Sequence, residues 1–112
     1  MKKSIIVTTE KVAFHKYDDA PEEVKFLRNL HRHKFYIKLG IEVFHNDREL
    51  EFFIVQNKLN NFLKDKDIIN SCEMLGEEIH KWAKETFKVA YPRKREIFVE
   101  VFEDNENGAR VE

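Results

Sequence analysis

The sequence predicts an α+β domain: a four-stranded antiparallel sheet with two helices on one face. Three observations predict it. Residues 31–44 show a clear alternation of apolar and polar side chains, residues 71–87 place apolar side chains at helical spacing, and the segments 4–16 and 96–103 are rich in β-branched or alternating residues. The 112 residues suit a single domain, 1–112.

The elements follow in order. "SIIVTTEKVAFHK" (4–16) is a first strand by its β-branched content. "YDDAPEEVKFLRN" (17–29) reads as a loop with a helical turn. In 31–44, Phe35, Ile37, Leu39, Ile41 and Val43 share one parity, with Lys38, Gly40 and Glu42 on the other, as in a half-buried strand. "HNDRE" (45–49) has turn chemistry, and "LEFFIV" (50–55) is expected to return as the second arm of a hairpin over 31–55. Val55, Leu59, Phe62 and Leu63 then fall at helical spacing. After "KDKD", Asn70 is the expected N-cap of a second helix, with Glu73 as its capping-box partner. That helix is expected to bury Cys72, Leu75, Ile79, Trp82 and Phe87, and to stop at "YPRK" (91–94). "EIFVEVFE" (96–103) is the last expected strand, followed by a polar tail, "DNENGARVE". The predicted order is β, loop, ββ, α, α, β.

The net charge of -1 gives no basic excess for phosphate backbones, so nucleic acid is not an expected partner. Mean hydropathy is -0.60 and 37% of residues are charged, yet ten Phe, three Tyr and one Trp supply apolar area for a core. No run approaches the roughly 18 apolar residues of a membrane span, and "SIIV" is too short for a signal peptide. The lone cysteine, Cys72, forms no intrachain disulfide. A cytoplasmic location is expected.

The residues with chemistry begin with "NLHRHKF". In a strand, residues two apart point the same way, so His31 and His33 project together while Arg32 points away. Two such imidazoles reach one Zn²⁺ at about 2.0–2.1 Å, or they are polar residues at the mouth of a strand. His15 ends the first strand and offers a third imidazole. Three histidines with an open fourth position make a catalytic type of zinc site. His45 and His80 are expected at the surface. Glu103 continues the apolar parity of Ile97, Val99 and Val101. It either faces water at the strand end or binds a donor-rich ligand. Cys72 reads most simply as a small core residue.

In combination these pieces resemble the 6-pyruvoyltetrahydropterin synthase / 6-carboxytetrahydropterin synthase family, which has the tunnelling fold. "VAFHKY" (12–17) is similar to its first histidine-ended strand, and "LHRHKFYIKLGIEV" (30–43) to its L-H-G-H motif. "SCEMLGEEI" (71–79) is similar to its T-x-E helix start, and "VFEDNENGARVE" (101–112) to its glutamate-ended last strand. The resemblance implies zinc held by His15, His31 and His33. It implies that Glu73 and Glu103 bind the aminopyrimidinone edge of a pterin or related purine-like substrate, of the dihydroneopterin triphosphate type. It also implies a homo-oligomer, often a hexamer, whose sheets close into a barrel. The chain departs from the pattern in its proton carriers. No cysteine lies between His15 and His31, Leu27 standing near that position. Arg32 replaces the glycine of the motif, and Ile68 follows Asp67 where the family has a histidine. Glu22 and Glu23 are the nearest acids to the missing thiol. Two readings follow: a divergent pterin synthase-like lyase, or a non-catalytic protein that binds or sequesters a pterin- or nucleotide-like ligand.

Overall fold

The computed structural model describes residues 1–67 and 71–112. Four strands, β1 (Lys3–His15), β2 (His31–Val43), β3 (Ile97–Glu103) and β4 (Asn107–Val111), form one antiparallel sheet in the order β1-β2-β3-β4. A 3₁₀ segment (Glu22–Arg28) interrupts the loop between β1 and β2. Two helices, α1 (Phe52–Leu63) and α2 (Cys72–Thr86), fill the connection from β2 to β3.

The alternation in β2 sets the layer structure. Phe35, Ile37, Leu39 and Ile41 are fully buried on one face. By register they share that face with Val7, Ala13 and His15 of β1 and with Ile97, Val99 and Val101 of β3. Helix α1 lays Val55, Leu59 and Leu63 over β1, and α2 lays Leu75, Ile79 and Ala83 over β3 and β4, so both helices complete a single core. Gly76 permits the close seating of α2: a Cβ there would lie 2.9 Å from Val111 Cγ2. Trp82 is half-buried and stacks on Phe62 where the two helices meet, centroids 4.8 Å apart.

Four expectations are corrected. Residues 50–55 are not a return strand. Both edges of β2 are taken, by β1 and β3, so no hairpin over 31–55 has a free edge to form on. The β-prone "FFIV" instead opens α1, capped by the Glu51 carboxylate accepting from Ile54 N–H (2.9 Å), because Val55, Leu59 and Leu63 bury together only at helical spacing. The polar tail is not free coil either, since residues 107–111 form β4 as the fourth strand. The expected cap at Asn70 lies outside the described residues. Ser71 occupies the N-cap, its Oγ accepting from Met74 N–H (3.2 Å), which places Glu73 in the first turn but not at the capping-box position. His80, expected at the surface, is partly buried with its Nε2 3.1 Å from the Ile97 carbonyl.

The long loop between β1 and β2 is tied across its base. Tyr17 N–H donates to Leu27 O (2.8 Å), and Arg28 donates through Nε and Nη2 to the carbonyl of buried Ala20 (2.9 and 2.7 Å). This closure keeps the last β1–β2 pair, His15 and His31, in register.

Candidate metal centre

His15 and His31 are directly opposed across β1 and β2, and His33 is two residues along on the same face. Their ring centroids lie 4.6 Å (His15–His31), 5.0 Å (His15–His33) and 4.8 Å (His31–His33) apart. One nitrogen from each ring falls within 4.8 Å of the other two, close enough for a shared metal ion. His15 is buried, His31 and His33 partly so, and Phe35 forms the apolar floor.

Backbone and carboxylate partners set the tautomers. His31 Nδ1 lies 2.7 Å from the Asn29 carbonyl, which only accepts, so Nδ1 carries a proton and Nε2 is the ring atom left for the cluster. His33 Nδ1 is hydrogen-bonded to the Asp104 carboxylate. The backbone N–H of Lys34 and then the His33 ring hold Asp104 below the usual carboxylate range, so it is an acceptor and His33 Nδ1 is the donor. His33 Nε2 is the ring atom left over, and among the described residues it is buried with no hydrogen-bond partner. A buried nitrogen lone pair with no donor facing it is costly unless a cation takes it. An imidazole whose far nitrogen donates to a carboxylate or carbonyl is the usual arrangement of a metal-ligating histidine. The donor set therefore suits a metal ion that takes imidazole nitrogens.

The turn after β3 builds this support. Asp104 and Asn105 have φ of 52° and 60°, a left-handed pair that Asp and Asn tolerate best among residues with a Cβ. Glu106 N–H closes the turn on Glu103 O (3.0 Å). Asp104 then clamps the end of β2: its N–H donates to Lys34 O (2.8 Å) and its Oδ1 accepts from Lys34 N–H (2.9 Å). Sequence reasoning missed Asp104. Its signal was the Glu-Asp-Asn run, two left-handed-tolerant residues directly after a strand.

Glu103 stands between two of the rings, Oε1 3.6 Å from His15 Nε2 and Oε2 3.6 Å from His33 Nε2. The Cys72 thiol at the start of α2 lies beside the same carboxylate. Burial, together with the charges of Glu103 and Glu73, pushes that thiol up to about 12, so it stays protonated at neutral pH. Glu73, exposed at the helix start, joins His15, His31 and Glu103 around a cleft of about 450 Å³ whose other walls include Tyr17, Leu27 and Met74. All five residues singled out from the sequence as metal- or ligand-binding thus come to one end of the sheet. A groove of about 630 Å³ on the uncovered sheet face is lined by Thr8, Tyr36, Lys38, Glu100 and Phe102, with no histidine or cysteine among its walls.

Fold and site define an α+β protein with a four-stranded antiparallel sheet and a three-histidine cluster, able to hold a metal, at one sheet end. No protein-family model matches the chain, and a search of curated proteins returns no match.

Proposed function

We propose that this chain is a divergent, zinc-dependent enzyme of the tunnelling-fold type, a pterin synthase-like lyase acting on a dihydroneopterin triphosphate-type or related purine-like substrate. The observation that carries it is the convergence of His15, His31 and His33 with the unclaimed, buried Nε2 of His33, beside a cleft that holds two carboxylates. Bound there, Zn²⁺ supplies Lewis-acid polarisation of a substrate oxygen. The rest falls to the chain's own groups. Glu103, with Glu73 at the mouth, accepts paired hydrogen bonds from an amino group and ring N–H of the heterocycle. Tyr17, Leu27 and Met74 offer apolar surface to a flat ring. The substrate type rests on the resemblance of the four sequence motifs. So does a homo-oligomer, of which the hexamer is the model, that pairs the outer edges of β1 and β4 between copies.

One observation favours a second reading, binding without turnover. The only thiol is buried and protonated, and no cysteine or Asp-His pair stands where the family keeps its proton carriers.

The test is the metal content of protein purified without a histidine tag, beside the His31→Ala/His33→Ala double variant. One zinc per chain, lost in the variant, is the expected result. A folded wild-type protein without zinc overturns the metalloenzyme reading. Zinc with turnover of dihydroneopterin triphosphate supports the enzyme, and zinc with binding but no turnover selects the second reading.

A further inference from the structure

The position of Glu103 carries more than an anchor for a heterocycle. In a tetrahedral site with bonds of about 2.0–2.1 Å, neighbouring donor atoms lie about 3.4 Å apart. Glu103 Oε1 is 3.6 Å from His15 Nε2 and Oε2 is 3.6 Å from His33 Nε2, each close to that separation, so the carboxylate spans two of the three rings. The geometry points to Glu103 as the fourth protein ligand of the metal in the ligand-free protein, closing the site that the three histidines leave open. This inference rests on the metal reading of those histidines.

Three observations support the assignment. The Glu103 side chain is 31% exposed and reaches inward from the end of β3, whose register with Phe35 points it to the histidine face. The Cys72 side chain, at the start of α2, lies beside the carboxylate and limits its movement away from the histidines. Three neutral imidazoles leave a divalent charge uncompensated in a largely buried pocket, and the nearest carboxylate able to reach it is Glu103, because Asp104 is engaged with His33 Nδ1 and Lys34 N–H. The two roles of Glu103 then exclude one another. A heterocycle that takes its carboxylate releases the fourth position, so ligand binding opens the metal.

Co²⁺ titration of the metal-stripped full chain tests this, using the visible absorption of cobalt to read coordination. Wild-type protein is expected to give the intense spectrum of four-coordinate cobalt, unchanged by azide. In Glu103→Gln and Glu103→Ala, with folding checked by circular dichroism, the affinity is expected to fall by about tenfold or more, the scale that even an outer partner of a ligand carries. Azide is expected to alter the spectra of both variants. Identical affinity, spectrum and azide response in folded Glu103→Ala overturn the fourth-ligand assignment and leave the histidine site standing. Wild-type protein that takes up no cobalt overturns the histidine site and this inference together.

Discussion

Asp104, held in the left-handed region at φ 52°, turns its carboxylate onto His33 Nδ1 and so leaves His33 Nε2 as the ring atom facing His15 and His31. A two-residue turn thereby sets the tautomer of a residue 71 positions earlier in the chain.

Asp104→Asn keeps a residue that tolerates the turn and accepts from Lys34 N–H, but removes the charge that fixes His33. We expect the thermal midpoint to change little and zinc affinity to fall by about 10-fold, in the range measured for outer partners of ligating histidines. Competition against a chromophoric chelator reads this directly. Asp104→Ala removes the carboxylate that accepts from Lys34 N–H and leaves a residue less tolerant of positive φ, so it is expected to lower the thermal midpoint as well.

At the far end of the sheet, Arg95 and Glu49 form a partly buried pair, with side-chain exposures of 9% and 15%. Arg95 also donates to the carbonyls of Phe87 and Glu42 (2.8 Å each). Burial alone pushes the Glu49 carboxyl up, but the N–H of Phe44 (2.8 Å), the guanidinium of Arg95 and the N–H of His45 (3.2 Å) outweigh it and hold the carboxyl below its ordinary value. The sign follows from a folded-state pKa below the unfolded one. Glu49 stabilises fully above about pH 4.5, and the contribution is lost as pH falls through the lower folded-state value. Glu49→Gln is expected to cost about 1–3 kcal/mol at pH 7, because a partly buried guanidinium loses its charged acceptor. The gap in thermal midpoint between wild type and variant should narrow as the pH is lowered below 4.5. A gap that stays constant with pH contradicts the assignment.

Cys72 is expected to be inert in the native protein. With its thiol pushed up to about 12 and the side chain 6% exposed, little thiolate exists at pH 7 to attack a disulfide reagent. Labelling with such a reagent should be slow without denaturant and fast in urea. Rapid native labelling would show that α2 does not cover the thiol as described.

Gly108 sits where a Cβ would lie 2.1 Å from Val101 O and 2.8 Å from Phe102 Cα, both backbone atoms of the paired strand β3. Gly108→Ala must therefore move one strand relative to the other. A loss of about 1–3 kcal/mol is expected in denaturant unfolding. Zinc affinity should drop with it, because the same hairpin carries Glu103 and Asp104.

Much of the fold was legible in one dimension. Clear alternation in 31–43 marked the central strand and its buried face, and the spacing of Cys72, Leu75, Ile79 and Phe87 marked the stripe of α2. The failures share a cause. "LEFFIV" has strand composition, but its fate depended on whether β2 kept an open edge, and β1 and β3 occupy both. "NGARV" has too few apolar residues to mark a strand, yet β3 offers it a free edge and Gly76 lets α2 sit down on Val111.

By itself, the sequence determined the candidate site's chemistry. Period-two geometry puts His31 and His33 on one side of a strand, and parity puts Glu103 on the face of Val99 and Val101. Only the tertiary structure decided that these groups meet. The β1–β2 register opposes His15 to His31, the turn at Asp104 and Asn105 presents a carboxylate to His33, and the packing of α2 lays the Cys72 thiol against Glu103. Local spacing dictates which way a side chain points. Convergence within a few ångströms depends on which strands pair and in what register, and that is settled by burying the whole apolar face at once.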